Sequence, residues 1–330
     1  MKTDLNTLLD SFAKHHIMII GDVMIDSYLW GKVERISPEA PVPVVTGTSE
    51  ENRLGGAANV ALNIQSLGAT PILCSVIGND IRSDIFYELL DNQNITRRGI
   101  IIDDSRPTTV KTRIISNHQH LLRVDREIDS PLSPNIEQAF IQNIMSILNA
   151  NSISAIVFED YDKGTITPFI IETVVKEANK RNIPTLVDPK KRNFDNFNNI
   201  TLFKPNYKEL CEGLKMDINK TQAESIFKAA GLLHDKYNIK LVMITLSEAG
   251  VFISDGTSYR LIPAHIRDIA DVSGAGDTVI SVASLCLSSG LDPFFTATVS
   301  NMAGGLVCEK VGVAPIDREQ FRNELMLLKI

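Results

Sequence analysis

The chain has 330 residues, enough for one large α/β domain or two modest ones, and its 44% apolar and 22% charged residues are ordinary for a soluble globular protein. A formal net charge of −7 argues against a dedicated nucleic-acid surface and agrees with a small-molecule enzyme. No stretch reaches the roughly 20 apolar residues of a membrane span. Asp4 and Asp10 make the N-terminus too acidic for a secretory signal. Cys74, Cys211, Cys286 and Cys308 fall at no metal-binding spacing, so they read as buried thiols in a reducing, cytoplasmic compartment.

Taken in order, Ile17-Met18-Ile19-Ile20 is a compact β-rich run ending in Gly21-Asp22. That is the pattern of a buried parallel strand whose C-terminal end opens a site. Asp26 follows; taken alone it is equally a turn cap or an acceptor for hydroxyls. Pro38, Pro41 and Pro43 interrupt the apolar stretch 33–45, which excludes a helix and leaves an edge strand or a lid. Gly55-Gly56-Ala57-Ala58-Asn59 opens a helix predicted to run to 67 and to stop at Gly68. The paired glycines permit close backbone approach, and Asn59 offers a donor and an acceptor to a polyol.

A strand is predicted over 71–77, a turn over 78–80 and a helix over 83–91. Between 106 and 125 apolar and cationic residues alternate in two half-exposed strands, again lid-like. Lys111, Arg113 and Arg123 there read either as a solvated β-face or as ligands for phosphate. From 135 onward the period turns helical and then alternates, with strands at 155–158, 185–187, 201–203 and 241–245 and helices at 168–181 and 223–236. Repeated units of this length make a parallel sheet covered by helices on both faces, with its site off the strands' C-terminal ends.

The polar motifs fall at those ends. Val187-Asp188-Pro189-Lys190 follows one strand and Lys204-Pro205-Asn206-Tyr207-Lys208-Glu209 the next. Asn206-x-x-Glu209 is a capping box in its own right. Further on stands Asp271-Val272-Ser273-Gly274-Ala275-Gly276-Asp277-Thr278, where small residues let backbone N–H groups converge at the start of an apolar helix. Such a helix start favours an anion, phosphate above all, and Asp277 is either its cap or a chemical group. Neither G-x-G-x-x-G nor G-x-x-x-x-G-K-[ST] occurs, so no dinucleotide fingerprint or P-loop is signalled.

The 271–278 stretch resembles the C-terminal signature of the ribokinase-like sugar kinases, the PfkB carbohydrate kinase family, and the other motifs follow in that family's order over roughly 17–315. This resemblance implies an α/β fold, a ribokinase-like three-layer sandwich with a mostly parallel central sheet and a small β-lid. The whole of 1–330 would then be one kinase domain, with lid segments near 30–50 and 106–125. By the same resemblance Asp277 is the catalytic base, and Gly274, Ala275 and Gly276 form the anion hole for the transferring phosphoryl group. Asn206, Lys208, Glu209, Ser247, Gly250 and Asn301 would bind ATP, and Asn206 and Glu209 would position Mg²⁺ through water. A monovalent cation stays an open question. Asp22, Asp26, Gly55, Gly56 and Asn59 would line the sugar site. Ser247 departs from the pattern, since most of the family has glycine there.

The wording Arg35-Ile36-Ser37-Pro38-Glu39-Ala40-Pro41-Val42-Pro43-Val44-Val45, after Gly21-Asp22-Val23-Met24-Ile25-Asp26, is similar to the heptose 7-phosphate kinases within that family. It implies ATP-dependent phosphorylation of the C1 hydroxyl of D-glycero-D-manno-heptose 7-phosphate, with Lys111, Arg113 and Arg123 toward the distal phosphate. The product would feed nucleotide-activated heptose for lipopolysaccharide core or another surface glycan. With no His-x-Gly-His motif, the expectation is a kinase without the nucleotidyltransferase fused to it in some relatives. Exposed apolar lid edges imply a homodimer. The alternatives are a family kinase acting on ribose, fructose or fructose 6-phosphate, or a non-catalytic sugar-binding regulator on the same fold.

Overall fold

A computed structural model describes residues 5–116, 119–265 and 268–328; residues 117 and 118, inside the expected second lid segment, lie outside the described residues. In chain order the elements are α1 (Leu5–Ser11), β1 (His16–Gly21), β2 (Val23–Ile36), β3 (Pro43–Gly56), α2 (Ala57–Ser66), β4 (Thr70–Ile77), α3 (Ile81–Asn92) and β5 (Gly99–Ile102). Next come β6 (Val110–Ser116), β7 (Gln119–Arg126), α4 (Pro134–Ala150), β8 (Ala155–Glu159), α5 (Pro168–Lys180), β9 (Thr185–Asp188) and β10 (Leu202–Phe203). The chain continues with α6 (Tyr207–Leu214), α7 (Ala223–Tyr237), β11 (Leu241–Thr245), β12 (Val251–Ser254), β13 (Tyr259–Ile262), α8 (Ala275–Ser288), α9 (Pro293–Val307) and α10 (Arg318–Leu327).

Nine strands form the central sheet in the order β13-β12-β11-β10-β9-β8-β1-β4-β5. The pairings from β5 to β11 are parallel, while β12 and β13 close the edge as an antiparallel meander. Side chains alternate across a strand, and β1 shows it: Ile17 and Ile19 enter the core shared with α2, α3, α8 and α9, while Met18 and Ile20 enter the core under α4, α5 and α7. These two cores make the middle sheet of a three-layer sandwich, as the parallel β-α reading requires.

The second sheet, β3-β2-β6-β7, is the lid. It spans more of the chain than the expected segments, because β2 and β3 run as one long hairpin from Val23 to Gly56. The prolines explain its shape. Pro38 and Pro41 lie in the connection, and Pro43 begins β3, an edge strand, where a missing N–H removes no interior ladder bond. Gly55 and Gly56 end β3, and Gly56 is also the N-cap of α2, whose first residue is Ala57. Gly68, with φ of 96°, follows the end of α2 as expected. All four cysteines are free; Cys74 and Cys286 are buried, Cys211 and Cys308 partly so. Among the described residues no helix is long and apolar enough to cross a membrane.

Candidate active site

Strand order reverses at β1, whose neighbours are β4 on one side and β8 on the other. An open α/β sheet leaves its binding crevice at such a point, beyond the strands' carboxyl ends. The chain supplies Asp22 after β1, Glu159 and Tyr161 at the end of β8, Asp188 ending β9 and Lys204 after β10, and the N-terminus of α8 faces this row. β1 and β8 approach so closely here that a Cβ on Gly21 would lie 2.1 Å from the Glu159 carbonyl oxygen.

Gly274 caps α8 in the left-handed region, with φ of 81°, a conformation that favours glycine. Asp277 is the third residue of that helix and is buried. Its Oδ2 accepts from Asn59 Nδ2 at 2.7 Å and its Oδ1 from the Tyr161 hydroxyl at 2.8 Å. Burial raises its proton affinity above the usual carboxylate range; the bonds from Asn59 and Tyr161 oppose that, Asp188 adds to it and Lys204 opposes it. A carboxylate that is buried, oriented by two donors and raised in proton affinity has the properties of a general base.

The loop before it is tied down. Asp271 Oδ1 accepts from the backbone N–H and the hydroxyl of Ser273 (3.0 and 2.8 Å), and Oδ2 accepts from Gly312 N–H at 3.0 Å. Ala275 N–H turns back to the Val272 carbonyl at 3.3 Å and so leaves the expected set of donors, while the amides of Gly276 and Asp277 lie in the first helical turn, which leaves them without intrahelical partners. Gly274, Ala275 and Gly276 are part-exposed, so this hollow is open.

Beneath it, Lys204 Nζ stands 2.6 Å from Asp188 Oδ2, and the pair is buried. Carboxylate oxygens of Glu159, Asp188 and Asp277 lie within 4.8 Å of one another. Burial first, then Asp188 and Asp277, push the Glu159 carboxyl well above the ordinary range, and its Oε2 has no hydrogen-bond partner. The Lys204 ammonium stands among these acids, so the floor sets one buried cation against three buried carboxyl groups.

Asn206 and Glu209 are the capping box of α6: Asn206 Oδ1 accepts from Glu209 N–H at 2.9 Å and Glu209 Oε2 from Asn206 N–H at 2.8 Å. Glu209 Oε1 also pairs with Lys190, whose ammonium lies 5.5 Å over the Tyr161 ring. The cap and the Asp277 cluster are thus joined through two side chains. Lys208 does not join them: its side chain is 82% exposed and paired with Glu212, because one helical step from Tyr207 turns it to solvent. Ser247 adopts φ of 55°, which explains why glycine suits this turn. Gly250 closes the turn with its N–H on the Ser247 carbonyl, and a Cβ there would lie 2.0 Å from the Ile262 carbonyl oxygen. Asn301 donates to the Pro263 carbonyl at 2.9 Å, fixing the neighbouring segment.

Of the residues expected to line a sugar site, Asp26 is buried and paired with Arg113, and Gly55 leaves room for its carboxylate. Gly56 packs on the Asp22 backbone. Asp22 has a different task from the one expected: Oδ2 accepts from the amides of Tyr161 (2.9 Å) and Lys163 (3.1 Å), and Oδ1 from Thr165 (3.0 Å). It clamps the loop after β8 instead of presenting a free carboxylate. Lys111 bonds Asp125 and Glu127 at 3.0 and 2.8 Å, and exposed Arg123 bonds Asp125 at 2.9 Å. Sequence reasoning passed over Glu159 and Tyr161, and it set Asp188 and Lys204 at the strand ends without pairing them. Two consecutive acids, Glu159-Asp160, ending the apolar run 155–158 were the available signal.

Residues 14–319 match the pfkB family carbohydrate kinases. The chain belongs to that family. This kinase is 39% identical over 298 residues to the bifunctional protein HldE of Helicobacter hepaticus, covering 90% of this chain and 61% of that protein. It is 35% identical over 327 residues to the HldE of Pelobacter propionicus, covering 99% of this chain and 66% of that protein. The chain therefore spans about two thirds or less of these curated relatives. Its fold matches phosphofructokinase-2 from Escherichia coli in complex with fructose-6-phosphate, with a TM-score of 0.76 at 18% identity, over 94% of this chain and 99% of that one. The kinase is thus an ATP-dependent carbohydrate kinase with a ribokinase-like fold, and its family uses a divalent metal.

Proposed function

We propose that this kinase transfers the γ-phosphoryl group of ATP to the C1 hydroxyl of D-glycero-D-manno-heptose 7-phosphate, giving the 1,7-bisphosphate used for nucleotide-activated heptose. The observation that carries the reading is the Asp277 carboxylate, buried at the start of α8 and held by Asn59 and Tyr161 beside an open hollow of backbone amides. A sugar hydroxyl is a poor nucleophile until its proton is accepted, and Asp277 accepts it. The first-turn amides of α8 receive charge that spreads over the phosphoryl oxygens, with the Lys204 ammonium below them. Asn206 and Glu209 offer the oxygen donors that suit Mg²⁺ through water, and the ion, when bound, neutralises phosphate charge. Ser247, Gly250 and Asn301 shape the nucleotide side.

For the heptose, the support is the 35–45 wording together with the cations of the second hairpin. Arg113 meets Asp26 at the mouth of the sugar side, and Lys111 and Arg123 share Asp125. A substrate phosphate would compete with those carboxylates for the same cations. A cytoplasmic homodimer joined through the lid belongs to the same reading, supported by Leu121, Leu122 and Val124, which stand exposed on β7.

The test is a substrate panel of heptose 7-phosphate, fructose 6-phosphate, fructose and ribose with ATP and Mg²⁺, the product phosphate located by ³¹P NMR. The expected result is a kcat/KM for heptose 7-phosphate at least 100-fold above the rest and a new anomeric phosphate. Preference for fructose 6-phosphate would give the site to the rival family reading, and no phosphorylation of any sugar would favour the non-catalytic one.

A further inference from the structure

Deepening the kinase reading and resting on it, the structure points to a residue that neither motif nor family match singles out. Tyr161 follows β8, and its loop is fixed from below by the three amide bonds to Asp22. Its phenol therefore meets Asp277 Oδ1 from a rigid support, opposite Asn59 on Oδ2. Two carboxylate oxygens offer about four lone-pair sites, so two donors leave room for a sugar hydroxyl to bond as well. We propose that Tyr161 is a positioning residue for the base: with Asn59 it holds the Asp277 side chain in one orientation as a carboxylate, ready to take the acceptor's proton.

The surroundings make such a donor necessary. Asp277 faces Glu159 from β8, Asp188 from β9 and Lys204 from the end of β10, with Lys190 beyond the Tyr161 ring. Lys204 is the sole ammonium bonded within this floor among the described residues, and it is spent on Asp188. A hydrogen bond from a neutral phenol stabilises the charged base without adding charge. Burial and the Asp277 carboxylate both raise the Tyr161 phenol's proton affinity, so it remains a donor across the working range.

Tyr161→Phe keeps the ring and removes the donor. The Asp277 carboxyl, assigned by its loss in Asp277→Asn, is titrated by ¹³C NMR in the ligand-free protein, alongside pH profiles of kcat and KM. A donor to a charged group is expected to be worth about one pH unit or somewhat more. The titration midpoint and the acid limb of kcat/KM should both move up by that amount. Above the limb, kcat should fall by about 10-fold as the base loses its fixed orientation, while KM for the sugar stays within about 2-fold of wild type. An unmoved midpoint overturns the proposal, as does an unmoved acid limb with a raised KM, which would place Tyr161 on the substrate. The NMR arm needs no turnover, so it reads even if the sugar panel fails. Should the variant not fold, 3-fluorotyrosine at 161, a stronger donor, is expected to lower the midpoint, and an unchanged midpoint would again overturn it.

Discussion

Replacing Lys204 with methionine removes the positive charge beneath the anion loop while keeping nearly the same volume. Lys204 is 2% exposed and its Nζ lies 2.6 Å from Asp188 Oδ2. At that distance an effective dielectric near 20 gives an attraction of about 6 kcal/mol. Asp188 would then stand uncompensated beside Glu159 and Asp277. Removing one partner of a buried pair destabilises by about 3–5 kcal/mol, whereas replacing both with apolar residues is close to neutral. Burial lowers the proton affinity of Lys204, but Asp188 and Glu159 together outweigh it and raise the net value, so its stabilisation is complete below the unfolded lysine pKa and is lost only as pH rises through the higher folded value. The full effect is therefore present at pH 7. Thermal unfolding and urea denaturation at that pH should show a loss in this range, a fall in Tm of roughly 4–7 °C. The double variant Lys204→Met with Asp188→Leu should recover most of it. A single-variant loss under about 1 kcal/mol, or no recovery in the double variant, would refute the reasoning.

Gly274→Ala should place a methyl 2.9 Å from Asn59 Nδ2 at a φ of 81°, loosening the donor on Asp277; kcat is expected to fall about 10-fold or more with a strain of about 1 kcal/mol, and unchanged kcat would contradict it. Ser247→Gly relieves a left-handed serine with φ of 55°, so its urea midpoint should rise, by about 0.5 kcal/mol in stability; a fall would show that the serine side chain is needed. Burial, then Asp22, raise the Asp160 carboxyl from 3.8 to about 6, so its favourable contribution is full below the unfolded pKa and lost as pH rises through about 6. Relative to Asp160→Asn, wild-type stability should therefore drop by roughly 2 kcal/mol between pH 4 and pH 7, and parallel stability curves would contradict this.

The parallel sheet was legible because its strands are uninterrupted apolar runs, such as 17–20 and 241–245, that end in polar motifs. The lid was legible because prolines within a β-rich stretch leave few other structures. The anion loop and Asp277 were visible as a local run of small residues ahead of an apolar helix. The charge floor was not, because Glu159, Asp188 and Lys204 come from three strands and meet only when the sheet is assembled. Asp22 misled for a related reason: a carboxylate after a first strand is a natural sugar ligand, and nothing local shows that a loop about 140 residues later takes both its oxygens. Lys208 belongs to a motif by adjacency, and only helical rotation reveals that it faces solvent.

The central claim is that one carboxylate takes the acceptor's proton next to the amide-lined helix start. It is tested most directly by the steady-state turnover of Asp277→Asn with ATP, Mg²⁺ and the best sugar phosphate of the panel. The account predicts a kcat reduced by about 10²–10⁴-fold with ATP affinity unchanged. Turnover within a few-fold of wild type would contradict it.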